Sequence, residues 1–191
     1  MVCFRWSKPH VGTLSLHAFF QLEKHLKSDA VFLDCSAESI PDVNLIIVDY
    51  LKGLTNISEA GILEVKEQLA ARHSHCAGRK RNKKQQHFGL NYGAEGCLIC
   101  TATTKHLTER VVCFLRLAKP IERSDVLELD LPVRFIVHMM GPEKFKNHFH
   151  EMGRCFAILM ADDVFHEVAY SASVPGDILL VIIVYYLLLY S

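Results

Sequence analysis

A surplus of charge of either sign is missing from this chain. Its 21 basic and 21 acidic residues leave a formal net charge of zero over 191 residues. With no global field, nothing in the charge balance draws the protein onto nucleic acid. Disorder is excluded as well, because half the residues are hydrophobic and the length leaves room for one domain with a real core. A long membrane-crossing run is lacking: Ile178 to Tyr190 is apolar without interruption but spans only 13 residues, where a bilayer needs about 20. MVCFRWSKPH is too short in apolar residues to read as a secretory leader. Also absent are G-x-S-x-G, G-x-x-x-x-G-K and G-x-G-x-x-G, so neither a nucleophile elbow nor a phosphate-cradling loop is written in the chain. No internal repeat occurs.

The seven cysteines form an odd set. Cys3, Cys35, Cys113 and Cys155 lie in apolar surroundings and read as small core residues of a reducing compartment. Cys97-Leu-Ile-Cys100 has the spacing of a redox pair or half a zinc site. Its apolar context predicts a strand, however, where positions three apart point to opposite faces and cannot chelate together. His73, His75 and Cys76 form one cluster and His148 with His150 another. Imidazoles two apart share a metal only on extended backbone, and neither cluster contains a carboxylate. No metal and no cofactor is expected.

Local patterns predict an alternation of elements. Leu16, Phe19, Phe20, Leu22 and Leu26 predict an amphipathic helix capped by Thr13 or Ser15 and broken at Ser28-Asp29. Val31 to Leu33 reads as a short buried strand. Ser39 and Pro41 start a helix to about Leu51, with Gly53 as its stop, and Asn56 or Ser58 starts another to about His73. Residues 76–95, with GRKRNKKQQHFGLNYG, read as an exposed basic loop. Gly96 to Thr103 and Val111 to Leu117 are strand candidates, either a hairpin or neighbours in one sheet.

Around Leu131 to Ala172 the pattern is strand, tight turn, helix. Val133 to Met140 is a β-branched apolar run between Pro132 and Gly141-Pro142, interrupted by Arg134 and His138. GRCFAILM follows with Phe156, Leu159 and Met160 on one helical face. This stretch, ending in LMADDVF and AY, resembles the cytoplasmic domain of bicarbonate transporters, the band 3 and sodium–bicarbonate cotransporter family. RWSKPHVGTLSLHAFF, from Arg5 to Phe20, is similar to the cotransporter branch, and Gly96 to Lys119 and RHSH at Arg72 to His75 fit the same family in the same order.

The resemblance implies a fold: a single α/β domain over residues 1–172, with a central mixed sheet of about four to six strands flanked by helices. It further implies likeness to the receiver domain of bacterial sugar phosphotransfer, a variable surface insertion near the basic loop, and an end to the match at about Ala172. The apolar tail, 173–191, is left without a role.

The implied function is a regulatory and anchoring domain of a bicarbonate transporter or inorganic anion exchanger, non-enzymatic, on the cytosolic side of the plasma membrane. Its implied partners are the transporter's membrane domain, a second copy, and cytoskeletal or metabolic proteins, with no nucleic acid. Candidate interaction or pH-sensing residues are Trp6, His10 and His17, near the start, where histidines titrate close to physiological pH. The others are Arg79, Lys80, Arg81, Lys83 and Lys84, whose default is a solvated loop and whose alternative is an anionic lipid surface. Two other readings stand beside this one: a soluble phosphotransferase-like enzyme or phosphoacceptor, and a fragment held on a membrane by Ile178 to Tyr190.

Overall fold

A computed structural model of the chain describes residues 15–54, 57–70, 94–122 and 131–190. In chain order the elements are α1 (Leu16–His25), β1 (Leu26–Cys35), α2 (Ile40–Gly53), α3 (Glu59–Ala70), β2 (Gly96–Thr103), β3 (Val111–Ile121) and β4 (Val133–Gly141). A single 3-10 turn over Glu143–Phe145 then leads into α4 (Lys146–Ala161), α5 (Asp163–Ser171) and α6 (Pro175–Tyr190). The fold is thus α/β, as the sequence implies.

Short polar side chains start the helices. The Ser15 hydroxyl accepts from the amide of Ala18, and the Ser39 hydroxyl accepts from Asp42 ahead of Pro41. Asp162 Oδ1 accepts from the amides of both Val164 and Phe165 at 3.0 Å and opens α5, while the Asp162 amide donates to the Leu159 carbonyl and closes α4. Asp177 reaches back to the amides of Ser173 and Val174 at the start of α6.

The sheet has the order β1-β3-β4-β2. β1 is parallel to β3, β3 antiparallel to β4, and β4 parallel to β2, which makes it mixed. The two central strands are buried on both faces, and they carry the near-continuous apolar runs VVCFLRLA and VRFIVHMM. Their alternation sorts the core into two layers. Phe114, Phe135, Val137 and Met139 meet α1, α4, α5 and α6 on one face; Cys113, Leu115, Leu117 and Ile136 meet α2 and α3 on the other. Aromatic edges knit the first layer, with Phe156 centred 5.7 Å from both Phe114 and Phe165.

Three expectations are corrected. β2 and β3 are neither a hairpin nor neighbours, because β4 lies between them. β4 is apolar enough to be covered on both sides and takes the centre, while the half-exposed, threonine-containing β2 goes to the edge. The helix expected to take in Leu26 and to break at Ser28-Asp29 ends earlier, at His25, and the short strand at Val31 to Leu33 is a ten-residue strand, Leu26–Cys35, that includes both Ser28 and Asp29. They sit exposed on the other edge strand, beside a shift of register between Leu26 and Val31, where polar residues are tolerated and discourage further pairing. The loop expected over 76–95 lies outside the described residues up to 93, and its last residue, Glu95, is not an exposed loop side chain but a partner of Arg134.

The apolar tail is helical and joins the first layer. Ile178 and Ile182 are fully buried there, and the Tyr185 ring stacks 6.2 Å from that of Phe19. Leu180, Ile183, Val184 and Leu187 remain exposed. Among the described residues no helix is long and apolar enough to cross a membrane.

Candidate functional site

Burying a guanidinium inside a strand is costly unless every donor finds an acceptor. Arg116 does so in the middle of β3, with its side chain only 7% exposed. Nε and Nη2 donate to the two carboxylate oxygens of Asp34 at 3.2 and 2.9 Å. Nη1 donates to the carbonyls of Ala169 and Tyr170 at 3.0 and 2.8 Å, and Nη2 to that of Ala172 at 2.8 Å. All five N–H groups are thereby used. Three of the acceptors are the carbonyls that α5 leaves open at its C-terminus, the negative end of the helix dipole. Asp34 holds the left-handed backbone (φ 55°), which Asp tolerates better than most residues.

Arg134, the second residue of β4, makes a similar fork. Nε and Nη2 donate to the two oxygens of Glu95 at 2.8 and 2.9 Å, and Nη1 to the carbonyls of Leu117 and Ala118. The Tyr170 hydroxyl donates to Glu95 Oε2 at 2.8 Å. Tyr170 thus joins the two arginines: its carbonyl accepts from Arg116 and its hydroxyl serves the partner of Arg134. Its ring also packs edge-on against Phe135, centroids 4.8 Å apart.

The electrostatics follow from these contacts. Hydrogen bonding from Arg134, with help from Tyr170, holds the Glu95 carboxyl below its ordinary range against the opposing effect of burial. The same pairing raises Arg134. Burial, then the bond to Glu95, pushes the Tyr170 phenol up to about 12. The donors and acceptors of these five side chains satisfy one another. Chemically this is a latch: it fixes the α5–α6 junction onto the end of the sheet where β1 and β3 finish and β4 and β2 begin.

The residues singled out in the sequence fall elsewhere. Trp6, His10, Arg79, Lys80, Arg81, Lys83 and Lys84 lie outside the described residues, as do His73, His75 and Cys76. His17 is exposed on α1, its ring edge-on to that of His148 at 5.8 Å. His148 and His150 sit two apart on α4, about 200° around a helix, so His148 turns toward Phe145 while His150 faces solvent. Cys97 packs against the first core layer and Cys100 against the second, the opposition that a strand imposes. Burial pushes their thiols up to about 12 and about 11. The latch residues Asp34, Glu95, Arg116 and Tyr170 escape sequence reasoning, and Arg134 registers only as an interruption. The available signal was an arginine inside each of the two most apolar strand runs.

Comparison with known proteins agrees with this architecture. A family model described as the Band 3 cytoplasmic domain matches residues 3–90 and 76–185, beyond the expected end near Ala172 and into α6. Electroneutral sodium bicarbonate exchanger 1 of Mus musculus is 29% identical over 230 aligned positions, covering 92% of this chain and 21% of its own length. Sodium bicarbonate cotransporter 3 of the same organism is 26% identical, covering 92% of this chain and 22% of its own length. The chain therefore spans about a fifth of the curated relatives it matches. Among solved structures, nitrogen regulatory protein IIA-Ntr from Neisseria meningitidis superposes with a TM-score of 0.62 at 15% identity, over 85% of this chain and 99% of its own. That likeness concerns the fold alone.

Proposed function

Because the chain belongs to the Band 3 cytoplasmic domain family, we propose that it is a regulatory and anchoring domain of a bicarbonate transporter or inorganic anion exchanger. It stands on the cytosolic side of the plasma membrane, takes part in intracellular pH regulation through its parent, performs no enzymatic step and moves no ion by itself. Its partners are the transporter's membrane domain, a second copy of itself, and cytoskeletal or metabolic proteins.

The observation that carries this reading is the latch. The side chains of Asp34, Glu95, Arg116, Arg134 and Tyr170 satisfy one another and hold the end of α5, just before α6, against the sheet. Such an arrangement transmits position and leaves no group available for chemistry. The basic run from Arg79 to Lys84 adds a contact with anionic lipid headgroups, worth on the order of 1 kcal/mol per cation near such a surface. Binding to phosphatidylserine vesicles should fall when Arg79, Lys80, Arg81, Lys83 and Lys84 are neutralised; binding that survives removes these residues from this role.

The test is a chimera in which this chain replaces the corresponding segment of mouse sodium bicarbonate cotransporter 3. Bicarbonate-dependent recovery of cytosolic pH after an acid load should persist in the chimera and be absent from cells expressing this chain alone. Recovery no better than that of a transporter lacking the segment would count against the proposal.

The likeness to a IIA-type fold favours a second reading, a phosphoacceptor. Incubation with a phosphohistidine donor and detection of acid-labile phosphate on the chain would establish it.

A further inference from the structure

At the end of the sheet opposite the latch, where β1 and β3 begin, a cleft of about 70 Å³ opens between the end of α1 and the loop 104–110. It is lined by His25, Lys27, Tyr50, Thr108, Glu109 and Arg110 over an apolar floor. The loop forming one wall is fixed at several points. The Thr104 amide donates to the Gly141 carbonyl at 2.9 Å, His106 Nε2 lies 3.0 Å from Glu64 Oε2, and Leu107 is buried in the second core layer. The Arg110 guanidinium lies over the Phe145 ring, 4.4 Å from its centroid. A guanidinium held by its face keeps its edge donors available for hydrogen bonds. Among the described residues, no carboxylate lies within ion-pair distance of Arg110 or of the exposed Lys27.

His25 reports the local field. Its Nε2 is 3.2 Å from Gln21 Oε1. Burial first, then Arg110 and Lys24, and less strongly Lys27, drive its pKa down to about 4, with Glu109 alone opposing. The carbonyl end of α1 adds a partial negative charge beside it. A second carboxylate, Asp29, is hydrogen-bonded to the Tyr50 hydroxyl on the cleft wall. The three cations Lys24, Lys27 and Arg110 still outnumber the two carboxylates Glu109 and Asp29.

We propose that this cleft binds one small oxyanion, with Arg110 and Lys27 as its charge partners. A water-sized sphere takes about 10–15 Å³ of such volume, so the cleft holds about five to seven of them, enough for a small anion such as bicarbonate or inorganic phosphate. The apolar floor of Leu54, Ile57 and Leu107 strengthens the charge interactions by excluding water. An anion seated there favours protonated His25 and so raises the pKa of that ring.

The test is NMR of the full chain, labelled with 15N throughout and 13C at histidine. It is titrated with sodium bicarbonate, sodium phosphate and sodium chloride at matched ionic strength. Near neutral pH, saturable shifts of the amides from Thr108 to Val111 are expected with bicarbonate, phosphate or both, but not with chloride; phosphate, which stays anionic in acid where bicarbonate is lost as carbon dioxide, should also move the His25 titration upward. Which oxyanion saturates identifies the source. Lys27→Gln, on an exposed side chain, should weaken binding by about threefold or more, and Arg110→Gln should abolish it. Shifts that are linear and equal with chloride would overturn the proposal, as would saturable binding that Lys27→Gln leaves unchanged.

Discussion

Arg116 and Tyr170 meet where the sheet touches α5, the guanidinium donating to the Tyr170 carbonyl at 2.8 Å while the Tyr170 hydroxyl engages Glu95. One residue therefore serves both arginine forks. Removing the arginine strands three helix-end carbonyls, those of Ala169, Tyr170 and Ala172, in a dry setting. Arg116→Met should cost about 3 kcal/mol in urea unfolding. Asp34→Asn should cost at most about 1 kcal/mol, because the Asp34 side chain is 69% exposed. Equal losses for the two would show that the carbonyl contacts carry none of the stability.

Glu95 links the latch to pH. Its folded-state pKa is depressed by Arg134, so its contribution is fully present above the unfolded value, near 4.5, and is lost as pH falls through the folded value. Glu95→Gln should be less stable by about 1–3 kcal/mol at pH 7. The gap to wild type should narrow below pH 4.5 as the native carboxyl protonates. Unfolding midpoints measured from pH 7 to pH 3 check this; a gap that stays constant refutes it.

The cysteines supply a chemical test of burial. Cys97 and Cys113 are pushed up from 9.0 to about 12, and Cys100 and Cys155 to about 11. At pH 8 their thiolate fractions fall by about two to three orders of magnitude. These four should react with Ellman's reagent only after denaturation. Fast labelling of Cys97 and Cys100 in the folded chain, mapped by mass spectrometry, would mean that β2 does not pack as an edge of this sheet.

How much of this was legible in the sequence depends on the range of the interaction. Local signals were readable: Ser39 and Pro41 open α2, Val133–Gly141 forms a strand, and Cys97 and Cys100 face opposite ways. Strand order was not, because β4 displaces β3 from β2 through burial on both faces, a comparison among strands far apart in the chain. The latch was hidden for the same reason. Arg116 and Asp34 are 82 residues apart, Arg134 and Glu95 are 39, and Arg116 and Tyr170 are 54. Spacing rules see only the turn or strand at hand.

Gly141 shows a further long-range constraint. A Cβ there would lie 2.9 Å from the Glu109 carbonyl oxygen and 3.2 Å from the Arg110 Cα, backbone that cannot swing aside. Gly141→Ala should cost about 1–3 kcal/mol and loosen the loop 104–110, seen as faster amide hydrogen exchange across it. Unchanged exchange would show that the close approach does not constrain the loop.

The most direct measurement is bicarbonate-dependent pH recovery in cells expressing the chimera with and without Arg116→Met, at matched surface abundance. The expected result is recovery with the native chain and a marked loss with Arg116→Met, as the α5–α6 junction comes free of the sheet. Equal recovery from both would contradict the claim that this junction carries the domain's influence on transport.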